Sequence, residues 1–321
     1  MRIIMSAISE SPIHTAVLLM ALGGPDSLDN VKPYLLDLRG GRPTSPELID
    51  EIRIRYQATG GRSPVLGIMR DVAALLERAL NEREGQQYRV MIGMRHWHPY
   101  IKDAYADMMH DQPDRLICLC MAPQYSSMSV GAYVKRVQEA HANLGGSFPI
   151  SYVNSWHCHP KLIDAIADRI QAALEKFPAP VRADVPIIFT AHSLPERILD
   201  MKDPYPEEVR GTVEAICSRL KPVNWRFAYQ SQGKSGEKWL GPTVEATIDA
   251  LHSDGHRHVL MAPIGFLSDH LEVLYDVDIE FKRLAESKQM QLERIAMLNA
   301  SPALIDILAA VLQEHQASLV A

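Results

Sequence analysis

Short apolar runs recur along this chain, and each one stops at a polar turn containing Pro, Gly or Ser. Residues 16–22 read AVLLMAL and end at Gly23-Gly24-Pro25; residues 116–121 read LICLCM and end at Ala122-Pro123-Gln124-Tyr125. Residues 185–190 (VPIIFT) end at Ala191-His192-Ser193-Leu194-Pro195, and residues 259–262 (VLMA) end at Pro263 and Gly265. A strand with one wet face alternates apolar and polar residues. A run that is apolar throughout is buried on both faces, as in a parallel sheet covered by helices. Further strands are expected at 88–94, 148–153 and 225–229. Between the strands lie helical periodicities: 31–38 after a Ser27 cap, 48–56, 68–80, a stretch ending at Met109, another from Val130, and one ending at Leu174. Others follow Asp203-Pro204-Tyr205-Pro206 as far as Leu220, run from Pro242 to Leu251, and run from Ser301 or Pro302 to about 313. Strand–helix alternation at this spacing predicts a largely parallel, three-layer α/β fold. The strand ends VLLMALGGP, ICLCMAPQYS, IIFTAHSLP and HVLMAPIGF resemble one another, which suits two related halves facing across a cleft. Lys176-Phe177-Pro178-Ala179-Pro180 interrupts the alternation. We expect the halves to be 1–178 and 179–321, with a helix of one half free to cross onto the other.

A chain of 321 residues has room for one large α/β domain or two of about 150 residues. Net charge is -6 and the basic residues are scattered, so a nucleic-acid partner has no electrostatic footprint. There is no run of eighteen apolar residues, and residues 1–15 do not form a signal peptide, so a cytoplasmic protein is expected. Cys118, Cys120, Cys158 and Cys217 contain no CxxC pair; they are expected to be buried apolar thiols rather than disulfides or iron–sulfur ligands.

Three carboxylates, Glu272, Asp276 and Glu280, recur at i, i+4 and i+8 after the 259–262 strand. A helix there, capped by Ser268 with Asp269 in its first turn, puts them near one line on one face. Like charges at this spacing destabilise a helix, so the row is either a solvated face or a site that handles a metal ion or protons. Its position after a strand's C-terminal end is where open α/β sheets place ligands. Burial of the near end would raise the pKa of Glu272. His192, at another strand end, is a metal ligand or proton acceptor by chemistry, and it can share either task with a facing carboxylate. The pairs His96/His98 and His157/His159 lack the spacing of a zinc site. Arg39, Arg42, Arg55 and Arg62 follow the first strand; with Tyr56, Tyr125, Met128 and Tyr133 they suit a large, flat, anionic ligand. Ser193 lies outside any GxSxG setting, and neither GxGxxG nor GxxxxGK[ST] is present, so acyl transfer and nucleotide binding lose their signatures.

Eight motifs, in order along nearly the whole chain, resemble ferrochelatases: LLMALGGPDS (18–27), RYQATGGRSP (55–64), APQYSSMSVGAY (122–133), TAHSLPERI (190–198), DPYP (203–206), YQSQG (229–233), KWLGP (238–242) and PIGFLSDHLEVLYDVDIE (263–280). The resemblance implies two similar Rossmann-like (chelatase-type) halves, each a mainly parallel four-stranded sheet flanked by helices, around a porphyrin cleft. It implies insertion of Fe(2+) into a porphyrin in haem biosynthesis, with His192 and Glu272 as the catalytic and metal-binding pair. Arg39, Arg55, Tyr56, Ser63, His96 and Tyr133 are then expected at the porphyrin, with Arg39 and Arg55 on its propionates. Asp276 and Glu280 are expected on a proton or metal path, Asp276 standing where the family commonly has Glu.

RYQATGGRSP, SVGAYVKR and DHLEVLYD look closer to the branch that converts coproporphyrin III to coprohaem III than to the one that uses protoporphyrin IX. Leu22 stands where that branch often has tyrosine, so no phenolate ligand comes from this position. A cobalt or nickel chelatase of another tetrapyrrole, and a non-catalytic porphyrin or haem carrier, are the alternatives. The chain lacks the membrane-associating insertion and C-terminal cysteine extension of animal enzymes. A monomer with no permanently bound cofactor and no iron–sulfur cluster is therefore expected, with Fe(2+) as substrate and transient contact with other haem-pathway enzymes.

Overall fold

The computed structural model describes residues 15–84, 87–233 and 236–320. The leader expectation for 1–15 lies almost wholly outside them. The first half contains β1 (Thr15–Ala21), α1 (Val31–Leu38), α2 (Pro46–Ala58), α3 (Val65–Glu84), β2 (Tyr88–Met94), α4 (Ile101–Met109), β3 (Arg115–Cys120), α5 (Val130–Leu144), β4 (Ile150–Val153) and α6 (Pro160–Leu174). A 3-10 turn at Ala179–Asp184 leads to β5 (Ile187–His192), α7 (Arg197–Asp200), α8 (Tyr205–Arg219), β6 (Trp225–Gln230), α9 (Val244–Ser253) and β7 (His258–Ala262). A π-helix (Glu272–Phe281), α10 (Lys282–Ser287), β8 (Gln291–Arg294) and α11 (Pro302–Val320) follow.

The two sheets repeat one plan. Their strand orders are β2-β1-β3-β4 and β6-β5-β7-β8, and every pair is parallel. Chain direction across each sheet reverses between the two central strands, β1/β3 and β5/β7. A crevice opens at such a switch point, at the strands' C-terminal ends. The apolar runs are buried on both faces: Val17 and Leu19 of β1 enter a core shared by both halves, while Ala16, Leu18 and Met20 pack on the opposite side with α4 and α5. Ile187, Phe189 and Ala191 of β5 meet that same shared core, and Ile188 faces away from it. Helices cross between the halves. α6 packs on α8 and β7, and α11 packs on α3 and α6.

Several local expectations change. β5 extends to His192, so this residue is the last of its strand rather than part of the following loop. The fourth strand of the second sheet, β8, carries the sequence QLER and pairs with β7 at the sheet edge; its polar residues hid it. The helix after β7 does not start at a Ser268 cap. Residues 263–270 form an irregular connection, and the helix that follows is wound as a π-helix. α11 continues seven residues beyond the expected 313, to Val320. Cys118 and Cys120 are buried as expected, but Cys158 is exposed and Cys217 half-buried; all four thiols are free.

Candidate active site

β5 and β7 lie side by side at the second sheet's switch point. β5 delivers His192 at its last residue, and the connection from β7 delivers Glu272 at the first residue of the π-helix. Gly265 lets the connection lie against β5: its N–H donates to the Thr190 carbonyl, and a Cβ on it would stand 2.8 Å from the Ala191 Cα. His192 Nε2 thereby comes 3.2 Å from Glu272 Oε1. His192 Nδ1–H donates to the Ser193 carbonyl, which points the other nitrogen at the carboxylate. The Tyr205 hydroxyl donates to the His192 carbonyl at 2.9 Å. The two side chains are 33% and 34% exposed.

Burial is the largest influence on both groups and disfavours charge on each. For His192 the Glu272 carboxylate and the hydrogen bonds to Glu272 and Ser193 outweigh burial, and its pKa rises to about 9. For Glu272 the His192 charge and hydrogen bond, with His270 and Arg55 adding to them, outweigh burial, and its pKa falls to about 2. The rise expected for Glu272 is thus reversed by its partner. It appears one helical step away. Asp276, 6% exposed, is raised to about 7, first by burial and then by the Glu272 charge, against the pull of Ser231 and Arg55.

The acidic row is held from several elements. Ser231, with φ +61°, aims its hydroxyl at Asp276 Oδ2 at 2.6 Å. Gln230 Nε2 donates to the Glu272 carbonyl at 3.0 Å. Arg55, carried by α2, reaches Asp276 at 3.3 Å, Glu280 at 3.5 Å and Glu51 at 3.0 Å, and lies over the Tyr275 ring. This guanidinium, expected on a propionate, is engaged with three carboxylates.

The first half supplies the opposite wall. Tyr56 is buried with Tyr34, Trp97 and the partly buried Leu271 in one apolar cluster between α1, α2 and the helix that carries Glu272. Tyr34 and Tyr56 are held protonated by burial, and the Glu272 charge adds to it. Ser63 is buried beside Gly24, its N–H bonded to the Pro25 carbonyl. His96 is buried, and its Nδ1 lies 2.7 Å from Asp37 on α1; burial lowers its pKa against the opposing Asp37 hydrogen bond. Its companion His98 is exposed. Tyr133 is buried in the first turn of α5. Arg39 lies exposed just past the end of α1, and Leu22, 42% exposed, follows the end of β1. Ser193 is fully buried and donates to the Leu240 carbonyl, a structural role.

Four residues around the site were not singled out from the sequence. His270 accepts the Glu272 N–H on Nδ1 at 3.1 Å, and burial lowers its pKa against the opposing Glu272 charge. Arg95 stacks over Tyr133 with its Nε buried and unpartnered. Asp203 and Glu208 join the halves. Asp203 accepts from Ser126 and from both the N–H and the hydroxyl of Ser127, while Glu208 accepts from the Tyr125 N–H and the Ser155 hydroxyl. DPYP offered the only signal, an acidic residue ahead of a helix.

Two solved structures share this architecture at low identity. SirB from Bacillus subtilis with Fe3+ superposes with a TM-score of 0.60 at 10% identity, over 94% of this chain and 95% of that one. The sirohydrochlorin chelatase SirB from Bacillus subtilis subspecies spizizenii in complex with cobalt gives 0.57, also at 10%. The fold is therefore of the chelatase type, two like four-stranded parallel sheets with their helices around a cleft. The Ferrochelatase family model matches residues 14–316. The Ferrochelatase of Herpetosiphon aurantiacus is 44% identical over 92% of this chain and 97% of its own length, and the Coproporphyrin III ferrochelatase of Listeria monocytogenes serotype 4b is 38% identical over 93% and 97%. The chain belongs to the ferrochelatase family, and it is an enzyme of porphyrin metabolism that inserts a metal into a tetrapyrrole. Among the described residues no cluster of His, Cys, Asp and Glu forms a resident metal site, and no helix is long and apolar enough to cross a membrane.

Proposed function

We propose that the protein inserts Fe(2+) into coproporphyrin III to give coprohaem III. The observation that carries the chemistry is the His192–Glu272 contact of 3.2 Å at the head of the acidic row. The substrate reading rests on the motifs of residues 55–64, 129–136 and 269–276, and on likeness to relatives named for that porphyrin. A flat ring enters between the two walls and is held bent, so that its pyrrole lone pairs point toward the metal. The bound pair is an imidazolium facing a carboxylate at neutral pH. Fe(2+) reaching Glu272 cancels the field that holds the His192 proton. His192 then sheds that proton and becomes a neutral base at the ring face. Asp276, which titrates near neutrality, passes protons to Glu280 and solvent. His192 accepts the two pyrrole protons in turn and gives each up to the Asp276 path, which leaves the dianionic ring that binds the metal. Arg39, exposed past the end of α1, takes a propionate.

Anaerobic Fe(2+) insertion into coproporphyrin III and into protoporphyrin IX, followed by absorbance, tests this. The wild-type enzyme should metallate coproporphyrin III faster, and His192→Ala and Glu272→Gln should each lower kcat by about 10²–10⁴-fold, the usual worth of a positioned acid or base. No insertion above background would overturn the activity. A preference for protoporphyrin IX overturns the substrate, and unchanged rates in both variants overturn the residue roles.

A further inference from the structure

A π-helix gives up the tighter packing of an α-helix, and it persists where other contacts hold it. The one at Glu272–Phe281 is tied on two sides. Gln230, Ser231 and Arg55 hold the cleft side. Val277 and Phe281 of the helix pack in a core with β7, while from the edge strand comes Arg294, the last residue of β8. Its Nε donates to Asp278 Oδ1 at 2.7 Å and its Nη2 to Asp278 Oδ2 at 2.9 Å, a two-pronged bond to the middle of the helix. The same Nη2 donates to Asp269 Oδ1 at 3.0 Å, ahead of the helix, and Nη1 donates to the Ile295 carbonyl. Asn299 grips Asp269 twice, from Nδ2 to Oδ2 at 2.7 Å and by accepting the Asp269 N–H at 2.8 Å.

Glu272 lies between the two points that Arg294 holds. Asp269 is three residues before it and Asp278 six residues after it, so one guanidinium spans the turn from which the carboxylate reaches His192. β8 is itself fixed to β7 with Arg294 opposite Met261, and β7 pairs with β5, whose last residue is His192. The arginine therefore refers the helix to the sheet that carries the histidine. Only a planar fork can serve two carboxylates in this way; an ammonium is a point charge.

We propose that Arg294 is a positioning residue for the reaction, which sets the winding and register of the π-helix and so holds Glu272 against His192. The proposal rests on the reading of His192 and Glu272 as the reacting pair. The side-chain bonds of Arg294 go to Asp278, Asp269 and the Ile295 carbonyl, so on this proposal its loss acts on turnover and not on porphyrin affinity.

The test uses the full chain. In the anaerobic metallation assay, Arg294→Gln should lower kcat by about 10–100-fold, the scale of a sub-ångström to 1 Å misplacement, while KM for coproporphyrin III stays within about threefold. Arg294→Lys should not restore the rate, and Asp278→Asn, the milder variant if Arg294→Gln folds poorly, should fall in the same direction. In a double-mutant cycle Arg294→Gln/Asp278→Asn should be no slower than the worse single variant, because both remove one contact. Additive losses, a rise in KM with kcat unchanged, or full activity in Arg294→Lys would each overturn the proposal. A crystal structure of Arg294→Gln decides it without turnover. Glu272 should have left hydrogen-bond reach of His192, and an unmoved pair sinks the idea. Failure of the wild-type enzyme to metallate counts against the functional reading alone, since the crystallographic outcome still stands.

Discussion

Between pH 4.5 and 6.5 the His192–Glu272 pair makes its whole contribution to stability, and outside that window the contribution decays in opposite ways. Glu272 is depressed from 4.5 to about 2, so its share is present above 4.5 and lost as pH falls toward 2. His192 is raised from 6.5 to about 9, so its share is present below 6.5 and lost as pH rises through 9. Asp276, raised from 3.8 to about 7, also favours the folded state only while protonated; its share is lost as pH rises through 7. Urea unfolding should therefore show stability falling from pH 6.5 to 9 by about 1–2 kcal/mol, a figure reduced because the pair is a third open to solvent and because both shifts report one interaction. His192→Ala should remove most of that fall, and Asp276→Asn should flatten the curve between pH 4 and 7. A curve for His192→Ala parallel to wild type would show that the pair is not coupled in solution. The sequence marked all three residues by type and spacing. It did not say which carboxyl would be raised, because the sign depends on whether an imidazole or another carboxylate is the nearest charge, and that is a fact of three dimensions.

At the level of elements, the strands were legible and the connection that carries Glu272 was not. Uninterrupted apolar runs have one physical reading, burial on two faces, and β1, β3, β5 and β7 obey it. β8 has no such run, since an edge strand buries only part of itself. The π-winding leaves no mark in an i, i+4, i+8 pattern, which serves either kind of helix. Gly265 looked like turn punctuation, yet its use is proximity, with Ala191 Cα and Cβ each 2.8 Å from where a Cβ would sit. Gly265→Ala should force the β7 connection off β5. We expect a loss of about 1–3 kcal/mol in denaturant unfolding, the cost of overpacking a closed site, together with slower metallation as Glu272 moves away from His192. An alanine variant with wild-type stability and rate would show that the contact is easily relieved.

For the whole molecule, the strand-end similarity anticipated two like halves, and the repeated strand order bears out that plan. What no linear reading ranked was how tightly the halves are joined. The shared core takes side chains from β1, α3, β5, α8 and α11 alike, and Asp203 and Glu208 reach from the second half to the strand-end loops of the first. Calorimetry should accordingly show one unfolding transition, and Asp203→Asn should lower its midpoint by several degrees, as loss of a buried carboxylate's hydrogen bonds costs about 1.5–3 kcal/mol. Two resolved transitions would contradict the shared core. The crossing of α11 carries a further consequence for how the molecule comes into being. Leu304, Leu308 and Leu312 of α11 share a core with Val72 and Leu76 of α3, and Gln316 of α11 accepts a hydrogen bond from Tyr88 of β2. During synthesis β1, α3 and β2 of the first half emerge from the ribosome more than two hundred residues before this helix begins at Pro302. Their apolar flank stays uncovered through nearly all of translation, so the earlier half waits on the later one, and nascent chains stalled before α11 are the form of this protein that chaperones must shelter.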